Sequence, residues 1–157
     1  MEYKITAQEA FKKYSDMVYR LAFARVKNKY DADDILQEVF LRFIKCKDKV
    51  NNDEHVKALL IRITINCSKS MLSSSWFKRT EPLSEHLSVS DPSFDTLDAV
   101  LRLPQKYRTV IHLHYYMGYS VDEIATILKS KPSTVKSQLH RARKMLKIDL
   151  EGVEANV

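Results

Sequence analysis

The chain has 157 residues, only two Gly and four Pro, and a formal net charge of +6. Two glycines cannot furnish a Gly-rich phosphate loop, so Walker- and Rossmann-type nucleotide sites are excluded. Scarce helix breakers favour a helical protein, and the positive balance favours an anionic partner, of which nucleic acid is the commonest.

The N-terminal MEYKITAQEA carries no apolar signal segment, and the most apolar run, ALLIRITI, is short and interrupted by Arg62. No membrane insertion is therefore expected, and the expected location is the cytoplasm. Thr6-Ala7-Gln8-Glu9 reads as a capping box opening a first helix, followed at helical spacing by Phe11, Tyr14, Val18 and Leu21. Asp31 is placed to cap a second helix, with acids in its first turn and Ile35, Val39, Phe40 and Phe43 as its apolar stripe. The polar stretch CKDKVNNDEH leads to a third helix, which carries Val56, Leu59, Leu60, Ile63, Cys67 and Met71 on one face. Cys46 and Cys67 show neither CxxC spacing nor a matching His, so they are expected as reduced core thiols and not as zinc ligands. No metal, cofactor or catalytic residue is expected.

Between Ser73 and Asp95 the periodicity fades into a Ser-rich stretch with two Pro, which reads as a linker. A second helical block begins near Thr96. There Pro104 suits a helix start and Gly118 the position just past a helix end. The expected fold is all-α, with two small helical domains, 1–75 and 96–150, joined by a flexible linker, 76–95.

Within the second block, Ser120-Val121-Asp122-Glu123 is another capping box, followed by Ile124, Ala125 and Leu128. Pro132 starts a further helix with Val135, Leu139, Ala142 and Leu146 as its buried stripe. Two short helices around a tight turn make a helix-turn-helix. From Lys129 to Leu146 there are six Lys or Arg, one His and no carboxylate. Ser133, Lys136, Ser137, His140, Arg141 and Lys144 project together from the outer face. The residues near the N-terminal end are placed to reach base edges, and those further along to neutralise phosphates.

The stretch SVDEIATILKSKPSTVKSQLHRARKML resembles region 4.2 of the bacterial sigma-70 family, in its extracytoplasmic-function (ECF) branch, and LRLPQKYRTVIHLHYYMGYS resembles region 4.1. YSDMVYRLAFARVKNKYDADDILQEVFLRFI is similar to regions 2.1 and 2.2, and ALLIRITINCSKSML to regions 2.3 and 2.4. The resemblance runs from Phe11 to Leu146 in the order of the family. It implies a sigma factor that binds core RNA polymerase and recognises the −10 and −35 elements of promoter DNA, is held by a cognate anti-sigma factor and is monomeric when free. By the same resemblance, Asp33, Asp34, Gln37 and Glu38 dock on the polymerase clamp, although Asp33 and Asp34 also suit the helix dipole. The −10 contacts fall on Asn51, Asn52, Arg62, Asn66 and Lys69, and the −35 contacts on Lys136, Ser137, His140 and Arg141.

Several positions depart from the family pattern. Leu59 replaces a tryptophan, which leaves Trp76 as the candidate stacking surface. Ser70 replaces an acid, and only Lys78 and Arg79 follow as a basic cluster. Gln138 stands for an arginine. Lys129 replaces the glycine of the turn, so a differently built turn is expected there. The linker, extended to at most ~65 Å, is compatible with promoter elements ~70 Å apart once the domain widths are added. The competing reading is a stand-alone helix-turn-helix repressor or activator. It would call for a self-complementary apolar face where DADDILQEVF presents acids.

Overall fold

The computed structural model describes residues 3–73 and 93–154, with side chains described to 73 and from 98 to 147. Trp76, Lys78, Arg79 and most of the proposed linker lie outside the described residues. All regular elements among those residues are helical, and they fall into two units, Met1–Leu83 and Ser84–Val157.

The first unit is a bundle of α1 (Ala7–Val26), α2 (Lys29–Cys46) and α3 (Asp53–Ser73), each packed on the other two. Thr6 and Glu9 close the anticipated capping box. The α1 core stripe is Ala10, Tyr14, Val18, Ala22 and Val26. Phe11, expected in it, is 47% exposed and packs edge-on against Phe40 at 5.0 Å. The small side chains of Ala10 and Ala22 occupy the seam, which displaces the bulky ring to its flank.

The α1–α2 connection is shorter than the sequence pattern suggested. Lys27 adopts a left-handed conformation (φ 58°) and closes α1, and Asn28, not Asp31, caps α2. The Asn28 carboxamide oxygen accepts from the amides of Tyr30 and Asp31, at 2.8 and 3.1 Å. Asp31 falls inside the first turn, where burial and then Asp34 push its carboxyl up. The stripe Ile35, Val39, Phe40 and Phe43 is buried as expected, as are Val56, Leu60, Ile63 and Cys67 of α3. Leu59 and Met71 pack against that core from its edge. Cys67 is a core thiol, raised by desolvation, whereas Cys46 is only half-buried at the end of α2. A buried Arg25 ties α1 to α3 by donating to the Ser68 hydroxyl at 2.8 Å.

The second unit contains α4 (Ser93–Arg102), α5 (Gln105–Ile111) continuing into a π-helical turn (His112–Tyr116), α6 (Val121–Leu128) and α7 (Pro132–Glu154). Helices α4, α5 and α6 all pack on α7. Pro104 precedes α5 as its cap, and its carbonyl accepts from the amides of Tyr107 and Arg108, both at 3.0 Å. Arg108 is buried and donates to the Leu103 carbonyl at 2.8 Å, and desolvation pushes its guanidinium down to about 10. Gly118 takes φ 78° beyond the π turn, in open space, so backbone freedom is what the position requires. His114 shares a 2.8 Å hydrogen bond with the Tyr119 carbonyl, and His112 stacks on Tyr116.

Candidate nucleic-acid interface

The local construction of α6 and α7 starts from two caps. Ser120 and Glu123 close the predicted capping box, at 3.2 and 3.1 Å, which consumes one of the two acids at the start of α6. At the other end of α6, Lys129 is left-handed (φ 54°, ψ 46°), and the Ser130 amide donates to the Ala125 carbonyl at 2.9 Å. This is the turn that a glycine usually makes. The expectation of a differently built turn is therefore corrected: the lysine adopts the strained conformation, at a cost of roughly 1–2 kcal/mol.

Pro132 opens α7, where its missing N–H costs nothing. Val135, Leu139 and Ala142 are buried and fix the rotation of the helix, and Leu146 is half-buried. That rotation leaves Ser133, Lys136, Ser137, His140, Arg141 and Lys144 all exposed, as the spacing predicted. No carboxylate interrupts this surface between Lys129 and Ile148.

One flank of α7 forms a groove of about 310 Å³ with the start of α5, lined by Lys106, Tyr107, Ser133, Thr134, Ser137, Gln138 and Arg141. The Arg141 guanidinium beside Tyr107 holds that phenol below its usual range, while Lys106 lies 5.1 Å from the centre of the Tyr107 ring. The cationic surface thus continues from α7 onto α5, and Gln138 lies in the same groove. Sequence periodicity missed Lys106 and Tyr107, because their proximity to α7 is a tertiary fact. Arg143, on the other flank, is exposed and donates to the exposed Tyr115 hydroxyl at 2.5 Å.

In the first unit, Arg62, Asn66 and Lys69 form one stripe of α3 that begins with His55 and Leu59. Asn66 and Lys69 are exposed, and Arg62 is half-buried. Asn51 and Asn52 lie just before α3, at the same end as His55. Asn52 is a helix cap, its carboxamide oxygen accepting from the His55 amide at 2.8 Å. Asp33, Asp34, Gln37 and Glu38 are all exposed on α2, and Glu38 pairs with Arg42 at 2.9 Å. Leu41, 59% exposed, continues the stripe of Asp34, Gln37 and Glu38. No group of three or more potential metal-ligating side chains occurs among the described residues, and no described helix is long and apolar enough to cross a membrane.

Residues 10–77 match the family description Sigma-70 region 2, and residues 93–146 match Sigma-70, region 4. The chain is 33% identical to RNA polymerase sigma factor SigV of Bacillus subtilis over 138 residues, covering 84% of this chain and 83% of that protein. It is 30% identical to ECF RNA polymerase sigma factor SigW of the same organism, covering 89% and 86%. Among solved structures, the fold is shared with the sigma factor RpoE of Bartonella quintana, crystallised with the anti-sigma factor NepR. The TM-score there is 0.75 at 22% identity, over 92% of this chain and 96% of that one.

Proposed function

The chain belongs to the sigma-70 family of RNA polymerase sigma factors, in its ECF branch, and from that membership we propose how its exposed faces divide the work. As a sigma factor it binds core RNA polymerase and directs initiation at specific promoters. The outer face of α7 reads the −35 element, with Lys136 and His140 at base edges, Arg141 and Lys144 on phosphates, and Ser133 and Ser137 between them. Lys106 extends the phosphate contacts onto α5. The acid-bearing stripe of α2, Asp33, Asp34, Gln37 and Glu38 with Leu41, docks on core polymerase. Asn51, Asn52, Arg62, Asn66 and Lys69 engage the unstacked −10 strand, where polar edges and cations replace the lost pairing.

The observation that carries this reading is the α7 face: six exposed donors on a helix whose rotation is fixed by a buried stripe, with no carboxylate among them. Chemistry is left to the polymerase, so the chain supplies recognition and no catalytic group. The same relationship supports an anti-sigma protein as a second partner, since the RpoE relative was crystallised with one. On this reading the chain works in the cytoplasm and is monomeric when free. The test is transcription in vitro with core polymerase and this chain on genomic DNA, with transcript starts sequenced. Starts sharing −10 and −35 motifs are expected. Starts indistinguishable from those of core alone would overturn the reading.

A further inference from the structure

The segment from Val50 to His55 is tied to itself and its neighbours by several hydrogen bonds. Val50 is 3% exposed and anchors the segment in the bundle core. The Asn52 side chain is occupied by the His55 amide, and the Asn52 carbonyl by the Val56 amide at 3.1 Å. The Asp53 carboxylate is clamped from α1 and the N-terminal segment. Lys13 donates to one oxygen at 2.8 Å, and the Tyr3 hydroxyl to the other. The Tyr14 hydroxyl reaches the Asp53 carbonyl at 3.4 Å.

Asn51 is held by its backbone and not by its side chain. Its backbone N–H donates to Nδ1 of His55 at 3.3 Å, while its exposed carboxamide makes no hydrogen bond among the described residues. The two bonds that join this turn to His55 run in opposite directions, one to its ring and one from its amide. They form a reciprocal pair of the capping-box kind, one residue wider and with imidazole in place of the usual carboxylate. The ring nitrogen that accepts must be unprotonated.

We propose that His55 is a positioning residue that fixes the Asn51 backbone, so that the Asn51 carboxamide is presented to an unstacked base. A carboxamide offers a donor and an acceptor side by side, which match the paired edge groups of a nucleobase. The Asn52 carboxamide oxygen and the Asp53 carboxylate hold the turn, and the clamp from Tyr3 and Lys13 keeps its far end in place. The inference rests on the assignment of this turn to the −10 strand.

The experiment uses holoenzyme reconstituted from core polymerase and the full chain, transcribing a promoter library with randomised −10 positions. Asn51→Ala is expected to flatten the preference at one position by roughly tenfold. His55→Leu, which removes the acceptor, should flatten that same position severalfold and leave the others unchanged. His55→Asn, which places an oxygen where Nδ1 stood, should restore it. If Asn51→Ala flattens a position and His55→Leu does not, the positioning role is overturned and the −10 assignment stands. A uniform loss at every promoter with His55→Leu, unrelieved in His55→Asn, also overturns it. If Asn51→Ala changes no preference, the inference falls together with the assignment of the turn.

Discussion

Arg141 and Tyr107 line one groove between α5 and α7, where the guanidinium beside the phenol holds it below its usual range. Arg141 lies at the border of the cationic face, beside Lys106 and Tyr107. That position suits a phosphate better than a base edge. Arg141→Ala should therefore weaken holoenzyme binding to all promoters about equally and lower the salt slope by about one. Tyr107→Phe should shift affinity in the same direction by less. Salt titrations on two unrelated promoters check this, and a promoter-dependent loss would move Arg141 to the base-reading set.

Lys136 and His140 carry no intramolecular hydrogen bond or ion pair among the described residues, and both are exposed in the first turns of α7. Alanine at either should cost about 1–3 kcal/mol of discrimination at its −35 position. The measurement is transcription from a library randomised across the −35 element. An unchanged preferred sequence in both variants would place base reading elsewhere on the helix.

On α2, the double reversal Asp34→Lys, Glu38→Lys should weaken core binding by tenfold or more while leaving helix content intact, because both side chains are exposed. Loss of the Glu38–Arg42 pair is a minor contribution, since exposed i,i+4 pairs are worth about 0.3–0.5 kcal/mol. Leu41→Ala should weaken core binding without altering charge, which separates an apolar contact from an electrostatic one. Affinity for core measured by fluorescence anisotropy decides it, and an unchanged value for the double reversal would remove α2 from the interface.

Much of this was legible in the sequence because caps and stripes are local. Thr6 with Glu9, Ser120 with Glu123, and the Val135–Leu139–Ala142 stripe are set by spacing alone, and the structure reproduces each. What was not legible depends on the approach of separate elements. Asn28 caps α2 because left-handed Lys27 ends α1 early, and no residue type announces a left-handed lysine. Phe11 looked like core until two alanines were seen to fill the seam. Lys106 belongs to the cationic surface only because α5 starts beside α7.

The clamp on Asp53 gives stability a pH dependence of known sign. The Lys13 hydrogen bond first, then that of Tyr3, holds the carboxyl below its ordinary 3.8. The same contact raises the Tyr3 hydroxyl to about 12. A depressed acid contributes stability that is complete above its unfolded value and disappears as pH falls through the folded one. Asp53→Asn should therefore be less stable than the parent at neutral pH, with the difference closing as pH drops below 3.8. Thermal melts at neutral and acid pH test this. A difference that persists unchanged into acid would mean that ionisation of Asp53 is irrelevant.

Lys129 offers the clearest route to a more stable second unit. It sits at φ 54°, ψ 46°, where the Cβ of any L-residue crowds its own carbonyl, at a cost of roughly 1–2 kcal/mol. Glycine escapes that cost but brings greater freedom to the unfolded chain, which returns about 0.4–1 kcal/mol. The net expectation for Lys129→Gly is a gain of up to ~1.6 kcal/mol, with Asn, which tolerates this region, in between. Lys129→Val should lose stability, because branching at Cβ worsens the clash. Because the two units need not unfold together, the probe must report on the second one, such as the ring resonances of buried Tyr119 during urea denaturation. The side chain of Lys129 is exposed beside the cationic face, so Lys129→Gly should also bind promoters slightly less well while folding better. If Val proved as stable as Lys, the left-handed turn would not be held in solution, and the orientation of α7 relative to α6 would have to rest on the buried Ile124, Val135 and Leu139 alone.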